Sequence, residues 1–202
     1  MERRDNYAIQ AASAKKRFLT YDQQEIIGRC ALKWDEAYFY PRLLGVPYRV
    51  CRKTGDMQCL REGQWTDGNS FAEVMILLDW LCDSRNDRYI TGNWVNLVTQ
   101  NHAFHQQLQG KEDADAAIFS QNPEKFASAC EALGGKICPG GDIGYTVELL
   151  DGLCIRLQLW HADEEFPAQL RFFWDENATR YIRYETTWYA LGLLLRSLRE
   201  HM

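Results

Sequence analysis

IGYTVELLDGLCIRLQLWH, residues 143–161, decides the fold class. Apolar and polar side chains alternate on both sides of Asp151-Gly152, the pattern of a β-hairpin with one buried face. Two registers compete. A two-residue Asp151-Gly152 loop sets Glu148 opposite Ile155 and Val147 opposite Arg156, which mixes charged and apolar groups on each face. A three-residue loop, Leu150-Asp151-Gly152 with Gly152 left-handed, pairs Leu149 with Leu153, Val147 with Ile155 and Tyr145 with Leu157. One face is then wholly apolar: Ile143, Tyr145, Val147, Leu149, Leu153, Ile155, Leu157 and Leu159. The other carries Thr146, Glu148, Arg156 and Gln158. A slip of one residue flips every side chain, so the three-residue loop is the expected one.

The neighbouring segments extend this hairpin into an α+β fold. QLRFFW (169–174) is a third strand after a loop containing Pro167. Residues 178–199 read as one long helix, capped at Asn177, with Tyr184, Trp188, Leu191, Leu195 and Leu198 as its core stripe. Upstream, Lys53-Thr54-Gly55-Asp56 forms the turn of an N-terminal hairpin within residues 36–60. Helices are expected over 4–19 and from Asp22 through Ala31. Ser70-Phe71-Ala72-Glu73 is a capping box before VMILLDWLC, a helix apolar all round except for Asp79. Asn93 is expected to cap a helix over 94–109. Asn122-Pro123 opens another that stops at Gly134-Gly135. Helices before and after antiparallel strands, without βαβ alternation, predict α+β: an antiparallel sheet of the C-terminal hairpin plus third strand and the N-terminal hairpin, packed with several helices. The length of 202 residues suits a single domain over 1–202, with a helical insertion at about 68–135.

Charge and composition narrow the function classes. The net charge of −5 argues against nucleic acid as a partner held by a basic field, and against an anionic membrane surface. The N-terminus lacks an apolar signal core, and WYALGLLL is too short to span a bilayer. A cytoplasmic protein is expected. There are seven cysteines and no C-x-x-C pair, which predicts reduced, mostly buried thiols and not a zinc ribbon or iron–sulfur site.

Chemistry gathers around WHADEEFPAQLRFFWDENA, residues 160–178. His161 continues the inward face of its strand. Asp163 and Glu165 follow at once, and Asp175 ends the next strand. Asp142 and Glu185, outside this stretch, are expected to join His161, Asp163 and Asp175 in lining a pocket at the end of the C-terminal sheet. A histidine with carboxylates suits a transition-metal ion or general acid–base chemistry, although loop polarity and helix capping explain most such charge. His102 and His105, at i and i+3, lack the spacing and the glutamate of the zinc-protease helix. The glycines of 134–145 leave a helix and enter a strand, the reverse of a phosphate loop. No GxSxG, Walker, HExxH or EF-hand pattern occurs.

Read together, DNYAIQAASAKKRFL (5–19), RKTGD (52–56) and above all the run from Asp142 to Glu185 resemble a bacterial and archaeal family known as domain of unknown function 3786. The resemblance covers nearly the whole chain. It implies no agreed activity and no known cofactor. Some relatives are joined to an iron–sulfur module, which implies a role beside a redox or corrinoid partner; the clustered cysteines of such a module are absent from this sequence. The leading expectation is an accessory domain that binds a small-molecule ligand or a protein partner, on the strength of aromatics crowding the acidic segment. The alternatives are a metal-dependent, hydrolase-like enzyme using His161 with Asp163, Glu165 or Asp175, and a structural subunit of a complex.

Overall fold

The computed structural model describes residues 2–97 and 114–202, without the side chains of 2–5. It is α+β, and it divides into two compact units: Met1–Tyr89 with Thr179–Leu193, and Ile90–Ala178 with Leu194–Met202.

The first unit holds α1 (Glu2–Phe18), α2 (Gln23–Cys30), α3 (Phe71–Asp83) and the first part of α6 (Tyr184–Glu200). Its strands are β1 (Lys33–Trp34), β2 (Tyr38–Tyr40), β3 (Arg42–Leu43), β4 (Val46–Cys51), β5 (Met57–Arg61) and β6 (Gln64–Thr66). They make an antiparallel sheet in the order β1-β2-β4-β5-β6, with β3 paired to β4. The β4–β5 hairpin turns at Gly55, whose φ of +74° only glycine adopts without strain. Phe39, Tyr48, Val50, Met57 and Cys59 form the buried face, and Phe18 of α1 meets Phe39 edge-on at 6.1 Å.

Of the expected caps, those at Asp22 and Ser70 form, whereas no α-helix begins at Asn93 or Asn177. Asp22 accepts from the amides of Gln24 and Glu25 at the start of α2. The Ser70–Glu73 capping box opens α3, and the carboxylate of Glu73 takes a second bond from Tyr48 Oη at 2.6 Å. Burial raises the Tyr48 pKa far above that of a free phenol, and the bond to Glu73 adds to this.

Asp79, the one charge on α3's apolar body, is 2% exposed. An ion-pair network neutralises it. Arg183 donates from its backbone N (2.7 Å) and from Nε (2.5 Å) to the two Asp79 oxygens. Arg17 approaches at 3.8 Å. Asp83, one turn on, meets Arg17 at 2.7 Å and Arg183 at 2.8 Å, and accepts Tyr21 Oη at 2.6 Å. Burial pushes the Asp83 carboxyl up, but the Tyr21 hydroxyl, Asp79 and the two arginines more than offset this and hold it below the usual carboxylate range.

This network explains a departure from the sequence. The helix expected over 178–199 is split: Ala178–Arg180 is a 3-10 turn, and α6 begins only at Tyr184. Asp79 takes the Arg183 amide, so that amide is lost to a helical ladder. The Arg183 carbonyl instead accepts from Thr186 and Thr187 and starts a new helix.

The second unit carries β7 (Trp94–Val95), α4 (described over 114–121), α5 (Pro123–Ala132), β8 (Lys136–Ile137), β9 (Ile143–Leu150), β10 (Leu153–Trp160), β11 (Gln169–Asp175) and the end of α6. The sheet order is β7-β11-β10-β9-β8, antiparallel throughout. The helix expected from residue 94 does not start there: Trp94 and Val95 are a short edge strand against Asp175 and Trp174. The rest of that helix, with His102 and His105, lies outside the described residues.

The opening hairpin combines the two registers weighed above. Its turn is the two-residue Asp151-Gly152, with φ of +51° and +79°, the left-handed pair that suits a tight hairpin. Leu150 pairs with Leu153, and then a bulge shifts the ladder so that Glu148 meets Cys154 and Val147 meets Ile155. The extra residue restores the apolar face without a longer loop. Leu149 and Leu150 are both buried as a result. Phe119 of α4 and Phe126 of α5 stack at 4.9 Å, both fully buried.

Candidate functional site

The glycine-rich stretch before β9 is built to press backbone against the end of β10. A Cβ on Gly141 would fall 2.7 Å from Leu159 O, and one on Gly140 would strike the Gln158 side chain. Held this way, Asp142 donates its amide to Leu159 O at 2.9 Å, and its Oδ2 accepts the His161 amide at 2.7 Å. The carboxylate thus fixes the backbone on which the imidazole stands. His161 Nδ1 lies 3.1 Å from Ser120 Oγ, on the last turn of α4. Three distant segments therefore converge: Ser120, Asp142 and His161.

Two predicted residues meet here, Asp142 and His161. Asp163 follows in a loop that it closes itself: its Oδ1 accepts the amides of Glu165 (2.9 Å) and Phe166 (2.7 Å). Those two amides hold its carboxyl below the usual range. Glu165 is exposed, and Phe166 beside it is 59% exposed. Asp175 has a different task. It is 1% exposed, and its Oδ2 accepts from Thr91 N, Thr91 Oγ1 and Gly92 N at 2.8–3.1 Å. Its Oδ1 takes Asn177 N at 3.0 Å. Oδ2 thus ties the 91–92 turn to the end of β11, and Oδ1 fixes the turn that leaves the strand. Glu185 lies in the first turn of α6, within the other unit.

Among the described residues, no group of three or more His, Cys, Asp or Glu side chains is placed to hold a metal ion. Ser120–His161 offers a hydroxyl and an imidazole that exchange donor and acceptor roles with the tautomer. That suits a neutral polar ligand group, or proton transfer. Sequence reasoning missed Ser120 because no motif surrounds it; only the packing of α4 brings it to His161. The aromatics near the acidic loop divide. Phe172 and Trp174 are core, whereas Trp160 and Phe173 are half-buried, and Trp160 lies under the Arg171 guanidinium at 5.1 Å. The seven cysteines form no disulfide among the described residues, and Cys30, Cys59, Cys82 and Cys130 are buried. Burial raises the Cys82 and Cys130 thiols to about 12, which makes both poor nucleophiles. In the first unit an open cleft of about 570 Å³ is lined by Glu25, Gly28, Arg29 and Asn86.

The fold is α+β, and Ser120, Asp142 and His161 form a small polar cluster at a strand end. The chain belongs to the family described as domain of unknown function (DUF3786), whose model matches residues 22–197. No curated protein and no solved structure matches it. Among the described residues, no helix is long and apolar enough to cross a membrane.

Proposed function

We propose that the chain is a cytoplasmic accessory domain that binds a small polar molecule at the Ser120–Asp142–His161 corner, with the Asp163–Phe166 loop as its flank. The observation that carries this reading is the 3.1 Å Ser120–His161 contact on a backbone anchored by Asp142. Glu165 and Asp175 stay outside the ligand contacts, and Glu185 takes no part. A place beside a redox or corrinoid partner belongs to the same proposal and rests on the family resemblance alone.

A thermal-shift screen of polar metabolites, followed by NMR of the histidine ring, tests it. A ligand that raises Tm should move the His161 ring resonances. Ser120→Ala and His161→Gln should each weaken its binding about tenfold, the scale of one lost hydrogen bond with its desolvation cost. Ligands whose affinity ignores both changes would place the site elsewhere. Saturable one-to-one binding of Zn²⁺ or Mn²⁺, lost in His161→Gln, would restore the metal-hydrolase alternative.

A further inference from the structure

The first unit's sheet has a second face that the buried core does not use. Tyr38 and Tyr40 of β2, Arg49 of β4, Gln58 and Leu60 of β5 and Trp65 of β6 alternate with core residues and are all half-buried. Arg49 stands in the middle. Its guanidinium carbon lies 4.6 Å from the Tyr38 ring centre and 4.9 Å from the Trp65 ring centre. Its Nε donates to Gln58 Oε1 at 2.7 Å, and Gln58 Nε2 donates to Asp67 at 3.0 Å. Tyr40 packs 6.3 Å from Tyr38 and 6.2 Å from Trp65, completing an aromatic surround.

One edge of the guanidinium is thus spent and the other is not. Among the described residues no carboxylate pairs with Arg49, and no acceptor takes its Nη hydrogens. Arg52, three residues on, shows the contrast: its Nε is given to Gln23 and its Nη1 to the Asp35 carbonyl. Side-chain entropy is the main cost of recruiting a long cation. The two rings and Gln58 have already met that cost for Arg49. The remaining Nη1–Nη2 edge is a planar, two-pronged donor.

We propose that this face is a receptor for a monocarboxylate carried on an aromatic or apolar body. The charge balance favours a monoanion over a phosphate dianion. One cation is unneutralised here, and Asp67 and Asp35, the latter bonded to Tyr40 Oη at 2.6 Å, add negative charge around it. The planar fork matches a carboxylate's two oxygens, and Leu60 with the Tyr40 ring supplies an apolar seat for the ligand body.

The test is a two-dimensional NMR titration of the Trp65 indole N–H and the Arg49 Nε–H. The probes are benzoate, its neutral shape-match benzamide, and inorganic phosphate. Benzoate should give saturable shifts at both signals, with benzamide and phosphate at least tenfold weaker. R49K should weaken benzoate at least tenfold, because an ammonium has no fork. Four results would overturn the proposal: no saturable shift with benzoate up to roughly 20 mM, well above a millimolar Kd; equal binding of benzamide; tighter binding of phosphate; or unchanged affinity in folded R49K. The benzoate–benzamide comparison uses the unaltered chain, so it decides the question even if R49K fails to fold.

Discussion

The most deeply buried aspartate of each unit is compensated, and the two are held by opposite means. Asp79 in the first unit is 2% exposed and faces arginines. Asp175 in the second is 1% exposed and faces N–H and O–H groups, with no arginine or lysine paired to it among the described residues. Both satisfy the rule that a buried charge must be compensated. They differ in what is left behind when the carboxylate goes. Removing Asp79 strands charge; removing Asp175 strands hydrogen-bond donors. The first error is costlier in a low dielectric, though here it is tempered because Arg183 is 49% exposed and can turn to water.

The largest expected effect is therefore Asp79→Ala, at about 2–4 kcal/mol in urea unfolding, since loss of one partner from a buried pair is strongly destabilising. Asp175→Ala should cost roughly 1–3 kcal/mol, from the amides of Thr91, Gly92 and Asn177 left without an acceptor. Asparagine separates the two sites more sharply. At 175 its amide oxygen can still serve the three donors now on Oδ2, so Asp175→Asn should recover much of the loss. At 79 the amide nitrogen would face an arginine donor, so Asp79→Asn should recover little. Equal recovery at both sites would show that the two carboxylates are held by the same means. Next in size is Tyr48→Phe, at about 1 kcal/mol, for the hydrogen bond to Glu73.

The same comparison predicts a pH dependence. The folded-state pKa of Asp83 is held below its unfolded value. Its contribution is thus fully present above the unfolded carboxylate value of about 4, and it is lost as pH falls through the folded value. Urea midpoints measured from neutral pH downward should drop in acid, and Asp83→Asn should flatten part of that drop. Asp56, whose carboxyl is also held low by Lys15 and Thr54, keeps a remainder. The smallest effect belongs to Arg156→Met. Arg156 lies 4.2 Å over the Trp94 ring, but its Nε is buried without an acceptor. The stacking lost and the desolvation relieved should nearly cancel, within about 0.5 kcal/mol by unfolding. A large loss there would show that stacking outweighs the orphaned donor.

Local rules made much of this fold legible. Capping and turn chemistry act within four residues, so Asp22, Ser70, Glu73 and Gly55 could be assigned from sequence alone, although the caps expected at Asn93 and Asn177 fail. The apolar face of the 143–160 hairpin was likewise readable, though a bulge and not a longer loop delivers it. The misreadings occur where a distant group overrides local preference. Asp79, more than a hundred positions away in sequence, breaks the long C-terminal helix at Arg183. Pairing with β11 makes a strand of Trp94-Val95. At the candidate site, Asp142 and His161 were legible because a strand end lies beside each. Ser120 was not, since its place depends on how α4 packs. The arginine face was also hidden: Tyr38, Arg49, Gln58 and Trp65 sit on four strands and become neighbours only through the register.

The sequence by itself determined the α+β class, the hairpins, the caps at Asp22 and Ser70 and the need to compensate one charge inside an apolar helix, because alternation, turn chemistry and capping are short-range. Only the tertiary structure decided which arginines answer Asp79, which amides answer Asp175, and which hydroxyl meets His161. Apart from the local bond between Asn177 and Asp175, those pairings join segments dozens of residues apart, and no local preference encodes them.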